Sequence, residues 1–132
     1  MAVGVRRREK EGTKLPTRHF SSLQEKKVAK TINGKQTANS GATMFGGKGD
    51  VLTSGDESFL IECKTKTTNS DSISIKREWF EKNRAEMVFQ GKQHQAVVFN
   101  FGPDEPYNEN HYIIDEYLFL ELQEYLNGKE KQ

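Results

Sequence analysis

The sequence predicts an α/β domain in which a central mixed β-sheet is flanked by helices. Three observations predict it. Helical and strand-like apolar patterns alternate along the chain. The strand-like runs are short, rich in β-branched and aromatic residues, and bounded by clusters of Gly, Ser, Asn and Asp. Finally, 132 residues, of which 33% are hydrophobic and 30% charged, suit one domain with a small core and an ionic surface.

Residues 1–18 are basic, lack apolar periodicity and are expected to form a flexible arm ending near Pro16; residues 19–132 are expected to fold. A helix is predicted next, with Ser21 or Ser22 as its N-cap and Leu23, Val28 and Ile32 as its apolar positions. Glu25 stands at the capping-box spacing from Ser22, and Asn33-Gly34 should end the helix. Residues 36–49, rich in Gly, Ser, Asn and Thr, read as a loop or irregular strand approaching a functional site. Residues 51–53 and 59–64 form a hairpin signal around the turn cluster 54–58. A polar loop over 65–72 leads to a short strand at 73–75.

A second helix is predicted over 76–90, with Trp79, Phe80, Met87 and Val88 as packing residues and Gly91 as its stop. Residues 95–101 read as a buried strand, 103–110 as a loop and 112–114 as another strand. Asp115 should cap a last helix ending near Asn127-Gly128. Tyr117, Phe119 and Tyr125 of that helix, with its leucines, are core or, if they exceed one face, a dimer surface.

Composition excludes several classes. No apolar run approaches the roughly 18 residues needed to span a bilayer, and the charged N-terminus has no apolar stretch after it, so a signal peptide is not expected. The single cysteine, Cys63, rules out an intrachain disulfide and fits a reducing, cytoplasmic setting. The glycines of residues 41–50 miss the Walker phosphate loop, because Gly49 stands where Ser or Thr must follow Lys48, so no nucleotide cofactor is expected. His19, His94 and His111 are scattered and give no zinc pattern.

The net charge of +1 hides an asymmetry. Residues 1–66 carry 13 Lys and Arg against 7 Asp and Glu, whereas residues 67–132 carry 7 against 12. The excess lies mostly before Lys30, beginning with Arg6, Arg7, Arg8 and Lys10. Such a segment suits sequence-independent phosphate contacts, although a solubilising tail has the same composition.

The chemistry-bearing stretch is Gly49-Asp50-Val51 followed by Ile61-Glu62-Cys63-Lys64. Side chains alternate along a strand, so Phe59, Ile61 and Cys63 should face the core while Glu62 and Lys64 share the polar face. A turn centred on Asp56 pairs residues whose numbers sum to 112, which sets Asp50 opposite Glu62. Carboxylates at that separation, about 5 Å, repel by roughly 3 kcal/mol at an effective dielectric near 20. A hard divalent cation removes the conflict, since Mg²⁺ favours one or two carboxylates plus water and phosphate oxygens. Lys64 could then stabilise phosphate charge or orient water. The bland alternative is an exposed Glu62–Lys64 ion pair worth about 0–1 kcal/mol. The Cys63 side chain itself reads as a small core hydrophobe.

Asp50, an eleven-residue gap and Glu62-Cys63-Lys64 resemble the D…(D/E)xK core of the PD-(D/E)xK nucleases. With the upstream Glu25, the Ser40-Gly41 loop and the order of later elements, residues 21–114 resemble the archaeal-type Holliday junction resolvases and their phage relatives. The resemblance implies a restriction-endonuclease-like domain and a Mg²⁺-dependent (or Mn²⁺-dependent) homodimer acting on four-way DNA junctions. It implies that Asp50, Glu62, Glu25 and the Cys63 backbone carbonyl hold metal and that Lys64 is catalytic. Arg6, Arg7, Arg8, Lys10, Ser40, Lys48 and Lys76 would contact DNA. Glu25 keeps a second reading as a helix cap. The stretch from Ser40 to Asp50 is longer than in compact archaeal enzymes, leaving two alternatives: a nicking, restriction-like or single-strand-specific nuclease, or a non-catalytic nucleic-acid-binding module.

Overall fold

The computed structural model describes residues 17–37 and 50–130. In chain order the elements are α1 (Thr17–Ile32), β1 (Lys35–Gln36), β2 (Val51–Leu52), β3 (Phe59–Lys64), α2 (Arg77–Gln90), β4 (His94–Phe99), β5 (His111–Ile114) and α3 (Glu116–Glu130). The strands form one mixed sheet in the order β1-β2-β3-β4-β5, with only β3 and β4 parallel. That parallel pair needs a crossover, which α2 supplies. The fold is therefore α/β, with a five-stranded mixed sheet and three helices among the described residues. None of these helices is long and apolar enough to cross a membrane.

α1 presents Val28, Ala29 and Ile32 to the sheet at helical spacing. It ends where expected. Asn33 takes the left-handed conformation (φ 60°), and Gly34 N–H returns to the Ala29 carbonyl at 2.8 Å. The helix begins at Thr17, however, so Ser21 and Ser22 lie inside it and neither is its N-cap. Glu25 consequently sits in mid-helix and has no capping-box role.

The β2–β3 hairpin has the expected register, Val51 opposite Ile61 and Leu52 opposite Leu60. Its turn contains Gly55 at φ 102°, a backbone state that disfavours side chains with a Cβ. Alternation along β3 sorts the side chains as expected. Ile61 and Cys63 join Val28, Val51, Ala96 and Val98 in one core, with Phe59 packed against it. Leu60 and Val97, both fully buried, point to the opposite face, which α2 covers. β4 is buried from His94 to Val98, as its apolar run predicts for a central strand.

Several local expectations are corrected. Residues 73–75 form no strand: Ser70 and Ser72 bond each other through side chain and backbone, Ser70 N–H donates to Phe101 O, and Ile75 stays exposed. The extra strand is instead β1. On α2, Trp79, Phe80 and Met87 are partly covered, but Val88 is 71% exposed and the buried positions are Asn83 and Glu86. Asn83 Nδ2 donates to the Ala96 carbonyl at 3.3 Å, so a polar residue does the docking. The last helix runs through Asn127-Gly128 to Glu130. Asp115, directly before it, accepts from Arg84 and Gln95 and so ties β5 to α2 and β4.

Gly34 is the tightest joint between α1 and the sheet. A Cβ there would stand 2.9 Å from both Leu52 O and Val51 Cγ1. Gly34→Ala is expected to destabilise the protein by about 1–3 kcal/mol through forced backbone displacement, measured by urea denaturation. An unchanged midpoint would show that β2 can yield.

Candidate active site

The site forms where the hairpin ladder between β2 and β3 stops. Beyond Val51 the chain bends at Asp50, whose N–H still donates to Ile61 O at 3.0 Å while Thr37 N–H donates to Asp50 O at 3.1 Å. The next ladder bond would serve the Cys63 N–H. The Asp50 carboxylate takes that place, with Oδ2 accepting from Cys63 N–H at 2.7 Å. A buried backbone donor left without an acceptor costs about 1–3 kcal/mol, so this bond holds Asp50 in a site where it is only 8% exposed.

Glu62 follows on the polar face of β3, its Oε2 3.3 Å from Lys64 Nζ, with both side chains about a quarter to a third exposed (27% and 30%). Residues two apart on a strand point the same way, which is why the pair forms. Lys64 Nζ also lies 4.8 Å from the Trp79 ring centroid, so α2 fixes the ammonium from above by a cation–π contact. Glu25 approaches from α1, and its Oε1 accepts from Gln36 Nε2 of β1 at 3.4 Å.

The three carboxylates act on one another. Burial pushes Glu25 up from 4.5 to about 7, helped by the charges of Asp50 and then Glu62, while Gln36 and Arg18 pull the other way. Glu62 is also raised, first by burial and then by Asp50, against the opposing pull of Lys64 and Lys82. The Cys63 thiol is raised by burial and by Asp50, Glu25 and Glu62 in turn. Cys63 thus lies at the centre of three acidic fields, stays a thiol and packs as the small core residue expected.

The donor set is all oxygen, the type a hard divalent cation takes. A strand residue directs its N–H and C=O to the same edge, so the Cys63 carbonyl points to the side on which Asp50 binds its N–H. Among the described residues, no three His, Cys, Asp or Glu side chains already converge as a ligand group. Asp50 is turned to Cys63, Glu62 to Lys64 and Glu25 to Gln36, and holding an ion requires the two glutamates to rotate inward. The carboxylates are of the hard-oxygen type that Mg²⁺ or Mn²⁺ takes, and their ligand geometry is not preformed among the described residues.

No family model, curated protein or solved structure matches the chain. Of the expected site residues, Glu25, Asp50, Glu62, Cys63 and Lys64 come together. Lys76 stands exposed at the N-cap of α2, and the α2 cation acting on Glu62 is Lys82. Arg6, Arg7, Arg8, Lys10, Ser40 and Lys48 lie outside the described residues. Sequence reading missed Lys82, Gln36 and the role of Trp79. Lys82 was within reach, because it follows Trp79 by three residues and shares its helix face.

A raised carboxyl pKa makes the folded state the tighter proton binder. In metal-free protein the Glu25 contribution to stability is present below about 4.5 and is lost as pH rises through about 7. Glu25→Gln is expected to flatten that dependence between these pH values in chelator, followed by thermal melts. An equally steep wild-type and variant profile would place the titration elsewhere.

Proposed function

We propose that the chain is a divalent-metal-dependent DNA endonuclease of restriction-endonuclease-like fold, acting on branched DNA such as a four-way junction. The observation that carries this reading is the set of three carboxylates, from α1, the start of β2 and β3, grouped around Cys63 beside the Glu62–Lys64 pair. Their mutual repulsion has no structural benefit, and a phosphodiesterase needs such a charge arrangement. The four-way junction as substrate rests on the resemblance of Asp50 and Glu62-Cys63-Lys64, with Glu25 upstream, to junction resolvases.

Asp50, Glu62, Glu25 and the Cys63 carbonyl would hold Mg²⁺ or Mn²⁺; when bound, the ion supplies charge neutralisation and polarisation at the scissile phosphate. Asp50 is preset by its bond to the Cys63 N–H and needs little reorganisation. Lys64, held between Glu62 and Trp79, would offer an ammonium to the negative charge that grows as the phosphorus becomes pentacoordinate. Arg6, Arg7, Arg8, Lys10, Ser40, Lys48 and Lys76 would supply phosphate contacts along the DNA backbone.

We also infer a homodimer, because resolving a junction needs two cuts. α3 supports it. Phe119, Leu120, Leu122, Tyr125 and Leu126 are each about half exposed or more (45–64%) on a helix of 15 residues, and helices of that length are marginal without packing. Leu122→Glu combined with Leu126→Glu is expected to convert a dimer to a monomer in sedimentation velocity. A wild-type chain that sediments as a monomer even on junction DNA would remove the dimer from the proposal.

The test of catalysis compares four-way junction, flap, linear duplex and single-stranded DNA with Mg²⁺. Asp50→Asn, Glu62→Gln and Lys64→Ala should each lower cleavage about 100-fold or more. Full activity in Asp50→Asn or Glu62→Gln overturns the active-site assignment. Binding that falls steeply with salt, with no cleavage of any substrate, identifies a nucleic-acid-binding module instead.

A further inference from the structure

The sheet face under α1 is covered over only part of its width. α1 packs across β1, β2 and β3, and its core contacts end at Ala96 and Val98 of β4. Beyond them a groove of about 570 Å³ runs between the end of α1 and β5. Its walls are apolar, from Ile32 of α1 through Phe59, Ile61 and Ala96 to Tyr112 and Ile114 of β5, with Glu57 at the hairpin end. A sheet face of this kind is closed by an amphipathic helix, as α1 closes the other half.

The same chain carries such a helix without a seat. At about 100° per residue, Leu118, Phe119, Leu122, Tyr125 and Leu126 of α3 fall within an arc of about 120°, the width of a core-facing stripe. The last four are about half exposed, and among the described residues α3 packs along no other element of its own chain. Its first turn is fixed from both faces of the sheet. One residue, Asp115, joins it to β5 and accepts from Arg84 and Gln95 on the α2 side. On the α1 side, the Tyr117 hydroxyl is hydrogen-bonded to His94 Nδ1 at 2.8 Å. A link this short and this firmly held does not let α3 turn back over its own groove.

We propose that α3 of one copy lies in the groove of a second copy, beside α1 and over β5, and that the exchange is reciprocal. Charge favours this occupant. Lys27 and Lys30 share the flank of α1 that borders the open half of the face, while Glu121, one turn before Tyr125, and Glu124 border the stripe of α3. Size favours it too. Four half-exposed side chains of this kind offer about 400 Å². Two reciprocal seats, counting helix and groove, cover about 1,600 Å², the size of a standard stable interface. A two-fold pair built this way closes on itself and leaves neither stripe nor groove open. The proposal rests on the homodimer inferred above and names the surface that each α3 enters; it is independent of the nuclease reading.

The test is disulfide trapping between Tyr112→Cys and Leu122→Cys, both at exposed positions, with the unsubstituted chain and its buried Cys63 as background. A disulfide reports Cα atoms within about 7 Å of each other. The two variants, co-expressed and oxidised, should give a covalent pair on a non-reducing gel, and neither variant alone should. Tyr112→Glu should weaken dimerisation about 10-fold or more in sedimentation equilibrium, with the thermal midpoint showing that the fold is kept. Leu122→Cys linking efficiently to itself means that α3 pairs with α3, and overturns the groove as its seat. A doubly substituted chain that closes its disulfide internally places α3 in its own groove and likewise overturns the proposal. A stable dimer in which the co-expressed variants form no link removes the groove and keeps the dimer. A wild-type chain that is monomeric removes both.

Discussion

The hydrogen bond from the Cys63 N–H to the Asp50 carboxylate is the constraint on which the site depends. A continuous hairpin would give that donor a backbone acceptor and leave Asp50 free to swing into solvent. Here the side chain replaces the ladder, the strand bends, and a carboxylate is held nearly buried beside the central strand. Thr37 caps the Asp50 carbonyl from the other side, so the bend is fixed at both ends. The charge of Asp50 then raises both Glu62 and Glu25, and an acidic cluster arises from a single departure from regular pairing.

The sheet separates two kinds of work. On one face Val28, Val51, Ile61, Cys63, Ala96 and Val98 close against α1 and make the apolar core. The other face carries Leu60 and Val97 beneath α2, and there the docking residues are polar: Asn83 to the Ala96 carbonyl, and Gln95 and Arg84 to Asp115. Polar docking of this kind is directional, since a displaced amide leaves a buried group unpaired. α2 is thereby held in a defined position over β3, which places Trp79 against Lys64. The position of Lys64 and the choice of polar over apolar packing are thus linked through one helix.

Much of the fold was legible because the patterns are strong where burial is one-sided. The alternation of Phe59, Ile61 and Cys63 against Glu62 and Lys64 gave β3 its faces, and the turn around Asp56 gave the correct register. Asn33-Gly34 and Gly91 ended their helices for the conformational reasons expected. Failures came where local signals compete with packing. Ser22 and Glu25 carry a capping-box spacing, yet the helix starts a turn earlier, at Thr17. Ile73 and Ile75 alternate like a strand, but serine-to-backbone bonds hold that segment as a loop. Val88 has core spacing and lies in solvent, because α2 docks through Asn83 instead.

The sequence by itself determined the α/β class, the hairpin and the shared face of Glu62 and Lys64, since each follows from periodicity over a few neighbouring residues. Only the tertiary structure decided that Glu25 from α1 reaches the same neighbourhood as Asp50 and Glu62, and that Gln24 beside it donates to Asn110. Those facts depend on how a helix crosses a sheet, a relation between residues up to 86 positions apart, as Gln24 and Asn110 are. Periodicity along the chain encodes which face of an element is buried; what that face meets is set by long-range packing.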